Sequence, residues 1–139
     1  MKLLYPSETE LAETKEIRRR KKDFLNKFMT HGFYLIDSLD EPFEKRYSST
    51  EKIRLIKFEL GKLLEKIRNL LSEKTKVILI ASPVYKANCE FLKKQGIPII
   101  NRESIDFPGS GGQKKYREKM KIILIQKLAT MNKSSCDRH

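Results

Sequence analysis

Apolar positions along this chain follow two rhythms. Long stretches repeat at i, i+3, i+4 and i+7, and short uninterrupted apolar runs lie between them. The first helical stretch opens on Ser7-Glu8-Thr9-Glu10, which has capping-box spacing and predicts a helix to about Thr30, with Ile17, Phe24, Leu25 and Phe28 on one face. Gly32 reads as the glycine that closes it. Residues 33–37 then read as a buried strand, and 38–48 as a polar loop with Pro42. A second capping box, Ser48 to Glu51, predicts a helix to about Leu71. Its stripe of Ile53, Ile56, Leu60, Leu63, Leu64, Ile67, Leu70 and Leu71 is the strongest periodic signal in the chain.

Residues 76–81 are an unbroken apolar run, as in a strand buried on both faces. Ser82-Pro83 is a helix start, with serine as N-cap and proline at the first helical position, and the helix continues to about Gln95 before Gly96. Residues 97–100 form a third strand, held to the sheet edge by Pro98. A last helix runs from about Gln113 to Ala129, with Tyr116, Met120, Ile123, Leu124 and Leu128 on one face. The order α-β-α-β-α-β-α predicts an α/β fold, a three-layer sandwich with a short, mainly parallel sheet flanked by helices. One domain is expected over residues 1–139, with 130–139 a disordered polar tail.

Between the third strand and the last helix lies the most irregular stretch, residues 106–115. It holds three of the six glycines, Gly109, Gly111 and Gly112, and leads into Lys114 and Lys115. It does not match a Walker A loop, because Gly112 is followed by Gln113 and no serine or threonine follows the lysines. No G-x-G-x-x-G stands at a βα turn, so no dinucleotide cofactor is expected. What remains is a flexible loop feeding a helix N-terminus, where backbone N–H groups favour an anion. In an open parallel sheet the strand ends would gather Asp37, Ser82 and this loop on one rim. Asp37 is either a general base or a turn cap. Ser82 is a cap that can also meet an anion.

Charge sharpens this picture. The 139 residues carry a net charge of +12, which favours an anionic partner, nucleic acid before a membrane surface. The phosphate contacts are assigned to Lys114, Lys115, Arg117 and the loop amides. The run of cations at residues 18–22 is either a solvated face or a second patch through Arg18, Arg19 and Lys22. Cys89 reads as a small buried hydrophobe, and two cysteines with His31 and His139 make no familiar metal spacing. Neither a signal peptide nor a membrane span is expected, and the cytoplasm is the expected compartment.

The segments at 32–37 and 107–116, with the strand, helix and strand between them, resemble the C-terminal part of the uracil-DNA glycosylase superfamily. The resemblance covers roughly residues 24–128. It implies that Pro108, Gly109 and Ser110 press on DNA near a flipped base, with Gln113 and Lys114 near phosphates. Phe107 stands where the family carries its histidine, and residues 1–6 leave no room for the family's first motif. The implied function is therefore binding of nucleic acid, DNA before RNA, without the full catalytic set. The other readings are a small enzyme acting on a nucleotide or phosphorylated substrate with Asp37 as base, and an oligomerisation or protein-interaction domain with a second copy or a partner chain.

Overall fold

The structure is a computed structural model. It describes residues 14–44, 46–107 and 111–136, with side chains to residue 126. The Ser7–Glu10 capping box and the Pro108, Gly109 and Ser110 of the loop lie outside the described residues. Six helices are described: α1 (Thr14–Arg19), α2 (Lys21–Thr30), α3 (Ser49–Phe58), α4 (Leu60–Leu70), α5 (Ser82–Lys94) and α6 (Gln113–Cys136). The chain divides into two compact units, one ending at Ile36 and the other beginning at Asp37. Among the described residues no helix is long and apolar enough to cross a membrane.

In the first unit, the expected long helix is interrupted at Arg20, within the cation run. The i→i+4 bonds Arg20 N to Glu16 O and Phe24 N to Arg20 O persist at 3.1 and 3.2 Å, so the interruption is a kink. Arg20 lies over the Phe24 ring, 5.0 Å from its centroid, which engages one of the five cations. Arg18, Arg19 and Lys22 are exposed. The end of α2 shows why residues 33–37 form no strand. Gly32 takes φ +82°, its N–H donates to Met29 O at 2.9 Å, and Phe33 N–H donates to Phe28 O at 3.1 Å. This is a Schellman closure, and the Phe28 and Phe33 rings stack across it at 4.9 Å. Phe33 thus completes a helix end.

In the second unit, the Ser48 box forms as expected. Glu51 N–H donates to Ser48 Oγ at 3.2 Å and Ser48 N–H donates to Glu51 Oε2 at 2.7 Å. The predicted single helix is divided at Glu59, just before Gly61, into α3 and α4. The stripe still points inward, with Ile56, Leu63 and Ile67 buried. Asp40 ties the preceding loop to α4 through ion pairs with Lys66 and Lys62. The Lys66 ammonium beside Asp40 holds its carboxyl below the usual range.

The core of this unit is Leu63, Ile67, Leu79, Cys89, Leu92 and Ile97. Leu92 is wholly buried, a contribution of about 2 kcal/mol. Cys89 packs here as a small hydrophobe. The end of α5 repeats the closure of α2. Gly96 has φ +79°, and Ile97 N–H donates to Leu92 O at 3.0 Å. α6 continues past the expected end at Ala129 to Cys136.

The expected three-layer α/β sandwich is not what forms. The described residues are mostly helical and contain no sheet, only two isolated parallel bridges, Val77 with Ile99 and Ile80 with Ile105. From the first bridge to the second, one segment advances three residues (77 to 80) and the other six (99 to 105). That mismatch prevents a ladder. Asn101, 1% exposed, fills the gap with its side chain. Its Oδ1 accepts from Leu79 N–H at 3.0 Å, and its Nδ2 donates to Leu79 O at 3.1 Å and Glu103 O at 2.9 Å. A side-chain amide thus replaces the backbone pairing that a regular strand would supply. With 33–37 in no strand, the third partner is missing as well.

Candidate nucleic-acid interface

The candidate site is assembled where the two bridged segments end. Ala81 N–H donates to Ile105 O at 2.9 Å, and Ala81 O accepts from Tyr85 N–H at 3.0 Å as the first bond of α5. Ala81 stands at φ 76°, ψ 136°. That left-handed conformation costs an alanine about 1–3 kcal/mol and persists only where surrounding bonds impose it. It also displaces the expected cap. Ala81 occupies the N-cap position, Ser82 is the first helical residue, and no side-chain cap bond forms. Ser82 is half-buried and follows the residue bonded to Ile105. The start of α5 and the segment leading into the glycine loop therefore meet at the Ala81–Ile105 bond, although the parallel sheet whose rim was expected to gather them does not form.

Asp106 is clamped next. Lys119 of α6 lies 3.1 Å from Asp106 Oδ2 and donates to Ser104 O at 2.8 Å. The Lys119 ammonium holds the Asp106 carboxyl below its usual range against the opposing pull of desolvation, and Lys115 adds a smaller push in the same direction as Lys119. On the far side of the loop, Gly111 has φ +76°. Gly112 packs so closely that a Cβ there would lie 2.9 Å from Phe107 O and 3.2 Å from Asp106 Cβ. The loop closes on itself, and glycine is required at the closure for lack of room.

α6 begins immediately after this closure. Tyr116 N–H donates to Gly112 O at 2.9 Å. The first turn of α6 has no acidic residue of its own, and the nearby carboxylate is that of Asp106, which Lys119 engages. Gln113, Lys114, Lys115 and Arg117 are exposed. Lys114 and Arg117 make no ion pair among the described residues. Desolvation of the half-buried Tyr116 hydroxyl raises its pKa, so it stays protonated at neutral pH.

Asp37 is exposed in irregular chain and not at a strand end, and no described hydrogen bond or ion pair joins it to Ser82 or the loop. Arg18, Arg19 and Lys22 belong to the first unit. Two further residues complete the site: Lys119, which the sequence pattern did not single out, and Phe107, which stands where the resembled family carries its histidine. Lys119 positions Asp106, and its spacing of four from Lys115 was the available signal. Phe107 is 58% exposed at the mouth of the loop.

Among the described residues, two clefts lie on the second unit. A cleft of about 300 Å³ runs between residues 100–105 and α6, lined by Ile100, Asn101, Ile105, Lys119 and Ile122. Asn101 and Lys119 are both engaged in the bonds already described, and Arg102, Glu103 and Gln126 also line this cleft, so its wall is mixed. A second cleft of about 260 Å³ between α3 and α5 carries Lys57, Lys86 and Lys94 with Glu90. Glu90 is paired to Lys94 at 3.0 Å and held ionised by it. His31 lies in the first unit and His139 outside the described residues. Among the described residues no three histidine, cysteine, aspartate or glutamate side chains converge as a metal site needs. The arrangement is suited to holding an anion, with Gly112 set against Asp106 and Phe107, a helix N-terminus, and Lys114 and Arg117 without an ion pair among the described residues. Compared with protein-family profiles, with curated proteins and with solved structures, the chain matches none.

Proposed function

We propose that this protein binds nucleic acid, with the start of α6 and the loop before it as the phosphate-contacting surface. The observation that carries the reading is the closure of Gly112 on Asp106 and Phe107, which presents Lys114, Lys115 and Arg117 from a fixed helix end. The net charge of +12 supports it, as does the lack of acidic residues in the first turn of α6. The likeness of residues 107–116 to the groove-entering loop of uracil-DNA glycosylases favours DNA. The reading rests on the loop and its cations and takes nothing from the α/β architecture of that superfamily.

Three phosphate contacts correspond to a slope of about −3 in log K against log salt concentration. The test is fluorescence anisotropy with DNA and RNA oligonucleotides over a salt series. The doubly substituted Lys114→Ala, Lys115→Ala protein should bind more weakly and reduce the slope by about 2. Binding that ignores salt, or no binding by the wild-type protein, refutes the proposal.

A further inference from the structure

We infer that Phe107 is a stacking platform for an unpaired base, so that the ligand of this site is a single-stranded stretch of nucleic acid. This rests on the phosphate-binding reading above and adds the substrate class.

The Phe107 ring is 58% exposed, although it lies next to a well-buried segment in which Ile105 is 0% exposed. Its backbone is held from two directions. Its carbonyl oxygen lies against Gly112, and the preceding Asp106 is anchored both by Gly112 and by the Lys119 ammonium. An aromatic side chain on a fixed backbone loses little freedom when it binds, which makes it an effective contact. The chemistry of its surroundings identifies what it would meet. Lys115 is close enough to act on the Asp106 carboxylate, and Lys114 and Arg117 leave the same helix end without acidic partners among the described residues. An exposed apolar residue whose carbonyl lies against Gly112, the residue before α6, and so at a helix end that carries Lys114 and Arg117, suits a ligand with a flat π face and adjacent negative charge. A nucleotide base with its phosphate has both. In a duplex the base faces are covered by their neighbours, whereas a single strand can offer one to the ring.

Phe58 provides the contrast. It is 87% exposed, but a cation close to it in the chain has acidic partners. Lys62, four residues further along the chain, lies 3.6 Å from Glu59 and 4.0 Å from Asp40. Exposure alone therefore does not select Phe107. The combination of a backbone held at the start of α6 with Lys114 and Arg117, which make no ion pair among the described residues, does.

The experiment compares wild type, Phe107→Ala, Phe107→Tyr, Phe58→Ala and the doubly substituted Lys114→Ala, Lys115→Ala protein. Each is titrated with single-stranded DNA, single-stranded RNA and duplex DNA across a salt series. Phe107→Ala should weaken single-strand binding roughly tenfold with an unchanged salt slope, and Phe107→Tyr should restore it. Phe58→Ala should bind as wild type, and duplex binding should be weaker and indifferent to Phe107. The DNA and RNA arms identify which strand is preferred. A 2-aminopurine base in the oligonucleotide should be quenched by wild type and less so by Phe107→Ala, which reads stacking directly. If Phe107→Ala binds single strands as wild type does while the double lysine variant loses them, the phosphate surface stands and the stacking inference is overturned. Equal loss on duplex DNA, or loss in Phe58→Ala of the same size, also overturns it. Absence of salt-sensitive binding by wild type removes both readings.

Discussion

Asn88 and Asn101 are the same residue type, equally buried at 0% and 1% exposure, and removing them should have opposite effects. Asn101 makes three hydrogen bonds, two of them to Leu79, which is itself buried. Replacing it with leucine leaves the Leu79 N–H and C=O without partners, whereas the exposed Glu103 can turn its carbonyl to water. Two orphaned buried groups at about 1–3 kcal/mol each give an expected loss of about 3 kcal/mol. Asn88, on α5, has neither its Nδ2 nor its Oδ1 paired. Leucine there removes an amide that is already unsatisfied and should stabilise by about 1 kcal/mol, some of the gain being offset by the added bulk. Urea unfolding followed by circular dichroism reads both as shifts of the midpoint at constant slope. Two results would refute the reasoning. One is a loss below about 1 kcal/mol for Asn101→Leu, which would mean that the amide does not replace the missing ladder. The other is a destabilised Asn88→Leu, which would mean that Asn88 is not the unsatisfied group described.

Two further predictions follow from the loop. Gly112→Ala places a Cβ 2.9 Å from Phe107 O where ordinary contact begins at 3.4 Å, so the closure must open by about 0.5 Å. It should cost about 1–3 kcal/mol and weaken oligonucleotide binding, whereas Gly61→Ala, with nothing within 4 Å, should stabilise by about 0.5–1 kcal/mol; equal urea midpoints for the two variants count against the closure. The Asp106 carboxyl is depressed by Lys119, so its contribution is complete above the unfolded value near pH 4 and is lost as pH falls through the folded value. Asp106→Asn should accordingly be less stable than wild type at about pH 6 and lose that disadvantage progressively as pH falls below the unfolded value; a gap that is constant with pH contradicts the ion pair.

The local features could be read from the chain because they depend on a few adjacent residues. The Ser48–Glu51 box needs only a spacing of three. Gly32 and Gly96 close helices because each takes a positive φ that other residues resist. The inward stripe of Ile56, Leu63 and Ile67 follows from the helical period. The position of Lys114, Lys115 and Arg117 at an exposed helix start was legible for the same reason.

The sheet was not legible, because a strand exists only through its partners. Apolar runs at 76–81 and 97–100 state that segments are buried. They do not say that the register slips between Val77–Ile99 and Ile80–Ile105, or that an asparagine 22 residues from Leu79 will take the place of the ladder. Phe33 could equally have begun a strand or stacked on Phe28, and the packing of the two rings decided it. Ser82 had the composition of a cap, but the bond between Ala81 and Ile105 moved that position back by one residue. The helix closures at Gly32 and Gly96, the start at Ser48, the buried faces and the location of the cations follow from neighbouring residues alone. Tertiary contact, which joins residues far apart in the chain, was needed to set which backbone groups pair and how Gly112 comes against Phe107 and Asp106.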